Sequence, residues 1–286
     1  MLDVSVIVPA RNAERLLDEC LLSIVRSQPR EIIVVDGNST DRTREIAAHY
    51  PVCLLSDQGR GLPVARLLGA EAAASSRVAL IDADVVLPKG ALGALLDEFT
   101  EGGYLALQAG LRSTSGPGYW GQALVQHHRT GRSKDWFGLV ATMFDRDELL
   151  RHGFDQRFLS GEDIELRWRL EHSRAKVGVS RRTMVIHRFA DDSFSFARGQ
   201  FLADGHGLGR MVAKHGWRGS WLLALPLAAG LRGMVLSLAR GGPRWIPYYA
   251  LYAFYNYVGM VAALRNRNTA AGSRAGKSIP TVLRRG

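Results

Sequence analysis

The stretch ALIDADVV, residues 79–86, is aliphatic except for two carboxylates one residue apart, Asp82 and Asp84. Asp is a poor strand former, and a buried carboxylate without a partner is costly. An apolar strand that ends in such a pair therefore needs a reason outside its own core. In an extended chain, positions i and i+2 lie on one side. The two acids are therefore expected to face one ligand together, unless they are simply solvated at the surface.

Around this stretch the first half of the chain alternates strand and helix. β-rich runs at 3–10, 31–36, 52–56 and 77–82 are separated by segments of helical spacing at 13–28, 39–50, 61–75 and 87–99. The strands are apolar almost throughout, so the expectation is an α/β fold with a mostly parallel sheet covered on both faces. Further on, strands are expected at 104–111, 138–144, 176–180 and 183–187, and helices at 145–153 and 161–171. Ligands of such sheets collect beyond the carboxyl ends of the strands. Polar groups cluster at those ends: Pro9-Ala10-Arg11-Asn12, Asp36-Gly37-Asn38-Ser39, and Asp82-Ala83-Asp84.

Composition excludes several classes. With 286 residues, 47% of them hydrophobic, the chain can bury a full core, so global disorder is excluded. Cys20 and Cys53 both sit in apolar runs and read as packing residues, not a disulfide framework. The N-terminus reads as strand from its start, so no signal peptide is expected. No Gly-x-Gly-x-x-Gly follows the first strand and no Gly-Lys-Ser/Thr occurs, which removes support for a dinucleotide fold or a phosphate loop.

Four motifs stand in order: VSVIVPARNAERLLDECLLSI, IIVVDGNSTDRT, the Asp82-x-Asp84 pair, and GFDQRFLSGEDIELRWRL. Together they resemble the inverting glycosyltransferases of family 2, which have the GT-A fold, over about residues 3–190. The resemblance implies a nucleotide-diphosphate sugar as donor and Mg2+ or Mn2+ as cofactor. It implies that Asp84 ligates the metal against the donor diphosphate, and that Asp82 bonds the ribose or shares the metal. Mg2+ held by few carboxylates plus substrate phosphates agrees with its coordination chemistry. Asp36 would read the nucleobase, with Pro9 and Ala10 packing on the base and Arg11 beside them. Arg66 aligns with a basic residue near base or phosphates; otherwise it is an exposed helix residue. Family members often carry two acids where this chain has Asp36-Gly37, which leaves the base open.

Glu162-Asp163 follows Gly161 and opens a helix with Ile164 and Trp168 on one apolar face. A helix N-terminus favours the ionised carboxylate, and a general base must be ionised. By resemblance Asp163 is that base and Glu162 supports it or binds acceptor. His187, ending the run TMVIH, is either a third metal ligand or a structural hydrogen-bonder. Residues 112–136 read as a basic loop, and Trp136 stands where related enzymes place an acceptor-facing aromatic.

Charge is unevenly distributed. Residues 1–204 hold 25 Lys/Arg and 27 Asp/Glu, whereas 205–286 hold 12 Lys/Arg and no acid. These basic residues flank the apolar runs 221–239 and 245–264, a pattern that suits an anionic membrane surface better than nucleic acid. Arg232 within the first run, and the basic connector 240–244, favour interfacial or re-entrant helices over a spanning hairpin. The expected plan is a catalytic domain over 1–195, with a donor half at 1–110 and an acceptor half at 111–195. A membrane-associated region follows at 196–268, placing the protein on the cytoplasmic face through 205–268, and then a basic disordered tail at 269–286. SFARGQFLADGHGLGRMVAKHG resembles the segment after the catalytic domain in membrane-associated exopolysaccharide transferases, which implies a polyprenyl-linked acceptor. A polyprenyl-phosphate glycosyltransferase, a nucleotidyltransferase and a non-catalytic membrane adaptor are the rival readings.

Overall fold

The computed structural model describes residues 1–130, 137–158, 160–173 and 175–265. Trp136 and the expected tail at 269–286 lie outside the described residues. The first half builds β1 (Leu2–Ala10), α1 (Leu17–Arg26), β2 (Pro29–Asp36), α2 (Thr43–Ala48), β3 (Cys53–Ser56), α3 (Leu62–Ala72) and β4 (Arg77–Ile81). Next come β5 (Val85–Val86), α4 (Ala91–Gly102), β6 (Ala106–Thr114), α5 (Tyr119–Thr130), β7 (Ala141–Asp145), α6 (Arg146–His152), α7 (Glu162–His172) and β8 (Val177–Arg188).

The eight strands form one sheet in the order β3-β2-β1-β4-β7-β6-β8-β5. Its first four strands are parallel, which gathers the ends of β1, β2 and β4 on one edge. β7 runs antiparallel to β4 and to β6, so the second half is mixed. Alternation along each strand divides the core in two. Val6, Val8, Val34, Ala79 and Ile81 pack on one face with Leu21 and Ile24 of α1. Ile7, Ile33, Val35, Val78 and Leu80 pack on the other with Ala65 and Ala70 of α3 and Leu166 of α7.

Three local expectations are corrected. The runs at 176–180 and 183–187 are one strand, β8, with a bulge where its pairing to β6 jumps between Gln108 and Gly110. Ser180 Oγ pins that bulge by accepting from Thr183 N at 2.8 Å. Within the stretch read as a basic loop, 119–130 is helical (α5), because Tyr119, Trp120 and Leu124 join an aromatic cluster with Trp245 and Tyr248. Cys53 is exposed on the edge strand β3, while Cys20 is buried as expected.

After β8 the chain is helical: α8 (Phe194–His215), a 3-10 run at Gly216–Ala224, α9 (Leu225–Ala239), a short 3-10 turn at Pro243–Trp245, and α10 (Ile246–Arg265). Ser193 caps α8 by accepting from Phe196 N. α8 and α10 approach closely because glycines face each other's backbone. A Cβ on Gly205 would stand 1.9 Å from Asn256 O, and one on Gly259 would stand 2.2 Å from Leu202 O. The outward sides are apolar and exposed: Leu227, Leu231, Val235 and Leu238 form a stripe on α9, and Phe254, Val258 and Val261 one on α10. Among the described residues, one helical run, Phe194–Ala239, is long and apolar enough to cross a membrane by length and composition.

The close helix contact gives a direct test. Gly205→Ala should destabilise the protein by about 1–3 kcal/mol, because backbone must move to admit the methyl group. Gly199→Ala, on the same helix with nothing within 4 Å of the new Cβ, should instead stabilise it by roughly 0.5–1 kcal/mol. Urea unfolding of the two variants measures both.

Candidate active site

Asp82 and Asp84 do not lie on an extended chain. The Val85 N–H donates to Asp82 O at 3.0 Å, so the pair sits in a tight turn between β4 and β5. The turn sends the two carboxylates to different partners. Asp82 accepts from Arg66 Nη2 at 2.9 Å, and Asp84 Oδ2 lies 3.3 Å from His187 Nε2. The expectation that both acids face one ligand by strand alternation is thereby corrected, since a turn does not keep that alternation.

Arg66 is buried, not exposed, with 2% of its side chain accessible. It also donates from Nη1 to Glu162 Oε1 at 2.8 Å. One guanidinium in α3 thus ties the turn after β4 to the first turn of α7. A planar fork with donors on both arms suits this double task. Burial pushes the Asp82 carboxyl up to about 6, against the pull of Arg66 and with help from the neighbouring Asp84 charge.

Asp163 follows Glu162 and has a lighter set of partners. Its Oδ1 accepts from the Ile164 N–H at 2.8 Å. Its Oδ2 lies against Gly138, whose N–H donates to Gln108 Oε1 at 2.9 Å. Burial and the Glu162 charge push Asp163 up to about 6, outweighing the backbone N–H groups of the helix start. The helix start favours the ionised form as expected but does not offset burial and Glu162, so the pKa rises while the acid stays mostly ionised at neutral pH. The turn into α7 is shaped by Gly161 at φ +79°, where a Cβ would stand 2.9 Å from Gly207 Cα of α8. Ser160 Oγ donates to Ala203 O at 2.9 Å, so α8 forms a wall of the site.

The residues expected to hold the nucleotide lie on neighbouring strand ends and their loops are tied together. Pro9 and Ala10 are buried within β1. Asp36 is 2% exposed and accepts from Ser39 N at 3.2 Å, folding the loop after β2. Gly37 N donates to Ala10 O at 2.8 Å, and Asn12 Oδ1 accepts from Thr40 N at 2.9 Å, which crosslinks the two loops. Arg11 is exposed at the mouth with its side chain against Gly37.

For the implied cation, the test is whether donor atoms are left open. Among the described residues, Asp84 Oδ1 is buried without a hydrogen-bond partner, an orphan that a cation would satisfy. His187 has Nε2 on Asp84 and Nδ1 3.4 Å from Ser113 Oγ. Burial draws the His187 pKa down, but the Asp84 bond prevails and raises it. Among the described residues, no group of three or more His, Cys, Asp or Glu is arranged to hold a metal ion. The fit is therefore to a cation held by Asp84 and by donor phosphates, not to a protein cage.

Three residues near these groups were not singled out in the sequence. Asp57, 1% exposed at the end of β3, organises the next loop by accepting from Gly59 N and Gly61 N at 2.7 and 2.9 Å. Its place at a strand's carboxyl end was the available signal. His128 of α5 stacks on His187 at 5.9 Å between ring centres, and burial lowers its pKa to about 3. Asp204 of α8 is exposed on the side of α8 near Asp163, and desolvation plus the Asp163 charge push its carboxyl up to about 7. No spacing rule relates 128 or 204 to the strand ends, so these two were illegible.

The arrangement places acids and loops at one edge of the sheet, and comparisons with known proteins give the family and the fold. The family description "Glycosyl transferase family 2" matches residues 5–153. The chain belongs to that family. It is 33% identical over 116 residues to 4,4'-diaponeurosporenoate glycosyltransferase of Staphylococcus aureus (strain USA300), a match covering 37% of this chain and 31% of that protein. The chain thus spans roughly a third of the length of the curated relatives it matches. In structure it is similar to mannosyltransferase PcManGT from Pyrobaculum calidifontis in complex with GDP-Man and Mn2+. That likeness has a TM-score of 0.63 at 20% identity and covers 91% of this chain and 87% of that one. It is also similar to S. aureus TarS 1–349 in complex with UDP, with a TM-score of 0.53 at 16% identity, covering 94% and 92%. These likenesses establish the expected GT-A-like α/β fold, with its sheet flanked by helices and a long apolar helix near the C-terminus. The family match speaks against the nucleotidyltransferase reading.

Removing the central cation should cost more than a surface arginine would. Arg66→Met leaves Glu162 buried, and Asp82 partly buried, without their partner, and should destabilise the protein by about 3 kcal/mol at neutral pH. Arg66→Lys should recover only a fraction of that, because an ammonium lacks the fork. Chemical denaturation of both variants is the check.

Proposed function

We propose that the protein is an inverting, metal-dependent glycosyltransferase that moves a sugar from a nucleotide diphosphate to a hydroxyl of a membrane-held, polyprenyl-linked acceptor. The observation that carries this reading is the Arg66 bridge, which brings the expected donor acid Asp82 and the pair Glu162-Asp163 to one place. Asp163 is the one of these three that makes no bond to Arg66. A carboxyl near 6 is ionised at neutral pH yet basic enough to accept a proton in the transition state. Asp163 deprotonates the acceptor hydroxyl, which attacks the anomeric carbon from the face opposite the diphosphate. Glu162, held by Arg66, fixes the helix start that presents Asp163. Asp36 and the loops around Ala10 and Gly37 hold the base, and Trp136 meets the acceptor. Asp84, with Asp82 and His187 beside it, would hold Mg2+ or Mn2+; when bound, that ion neutralises charge on the leaving diphosphate. The Mn2+ in the PcManGT complex supports this choice.

The division at about residue 195 separates a catalytic region, residues 1–195, from a membrane-associated region, residues 196–268. The exposed apolar stripes of α9 and α10, with Trp217 and Trp221 exposed beside them, support an interfacial seat at the cytoplasmic face. The relative named for diaponeurosporenoate, a lipid-like carotenoid acid, supports a lipidic acceptor. It also favours one second reading: an acidic acceptor, phosphate or carboxylate, that arrives ionised and needs no base.

Asp163→Asn separates the two. With a hydroxyl acceptor kcat should fall by roughly 10²–10⁴-fold, while donor binding stays; near-full activity would establish an acidic acceptor. Because the Asp163 pKa is raised to about 6, the wild-type rate should fall as pH drops through 6, when the base takes up its proton. NMR of the product anomer reports inversion directly. Separately, nucleotide sugar with Mn2+ should raise the thermal midpoint of the wild type, and Asp84→Ala should lose the metal-dependent increment. Unchanged metal dependence in that variant would remove Asp84 from the site.

A further inference from the structure

A cavity of about 580 Å³ lies away from the catalytic groups, where the end of α5 meets the turn between α9 and α10. Arg129, Arg240 and Arg244 line it with Thr130, Ser237 and Trp245, and among the described residues no carboxylate does. Arg129 donates to the neutral amide of Gln126 at 2.8 Å, and Arg244 rests over the Trp245 ring at 4.2 Å, so neither contact supplies a negative charge. From residue 205 onward the chain has no acid to offer. Three cations around one cavity repel each other, and an anion with several acceptor oxygens relieves this.

Position selects the anion. α9, whose last turn supplies Ser237 and whose end supplies Arg240, carries the exposed stripe Leu227, Leu231, Val235 and Leu238. A helix lying with that stripe among acyl chains keeps its terminal arginines at the level of the headgroups. We infer that this cavity binds the phosphate of an anionic phospholipid headgroup, and so sets how the enzyme sits on the bilayer. The inference rests on the membrane-held reading above.

The test is flotation of the full chain with phosphatidylcholine vesicles, with and without phosphatidylglycerol. Wild type should bind the phosphatidylglycerol vesicles more tightly. The double variant Arg240→Gln/Arg244→Gln should lose about five-fold in partition per arginine removed. Its binding to phosphatidylcholine alone and its thermal midpoint should stay unchanged, since both side chains are exposed. A charge-matched control, Arg26→Gln/Arg181→Gln, removes two exposed arginines elsewhere and should keep wild-type binding. Equal loss in the control would overturn the site in favour of diffuse attraction. So would displacement of the wild type by inorganic phosphate at concentrations matching the lipid phosphate, because the cavity would then take a free anion. Binding without any preference for phosphatidylglycerol overturns the cavity but leaves the membrane seat standing. Failure to float with either vesicle overturns the membrane seat, and the cavity's role with it.

Discussion

The guanidinium of Arg66 is the interaction on which the rest of the site depends. It stands on α3 and grips Asp82, 16 residues away, and Glu162, 96 residues away. Arg66 and Glu162 would each be expensive to bury alone, and the half-buried Asp82 completes their compensation. The cost of separating them fixes the end of β4, the face of α3 and the start of α7 in one arrangement. Because Asp163 is the next residue after Glu162, whatever holds Glu162 also aims Asp163. A salt bridge that could be taken for a stability device is therefore a device for registering two halves of a site.

The same burial decides protonation. Asp82 and Asp163 are both raised to about 6, the first despite Arg66 and the second despite the helix start. In an enclosed cluster of acids, desolvation and mutual repulsion outweigh a helix terminus worth about 1 kcal/mol or less. Asp84 has the opposite character, with one oxygen on His187 and the other buried and unmatched among the described residues. Two acids one residue apart are thus divided, one bound into the protein's own charge network and one left open toward a cation.

α8 joins this chemistry to the C-terminal helices. On one side it meets Ser160 and Gly161 at the approach to Asp163, and on the other it carries α10 through glycine contacts. Only a helix without side chains at 205, 207 and 209 could serve both neighbours at such short range. α8 and α10 thus form one packed unit, and the exposed apolar stripes of α9 and α10 belong to the same helical region that borders Asp163.

Local pattern determined much of this. The apolar strands with turns between them, the acids at strand ends, and the loss of all acids after Asp204 are properties of neighbouring residues, and each could be read directly. So could the order of the motifs that resemble family 2. The partners of Arg66 could not be read, nor could the turn that separates Asp82 from Asp84, the helix at 119–130 or the place of Asp204 beside Asp163. Each depends on burial and on contacts between residues far apart in the chain. Cys53 shows the limit most simply: its apolar neighbours predict a core, but β3 is an edge strand, and an edge exists only once the other strands have taken their places.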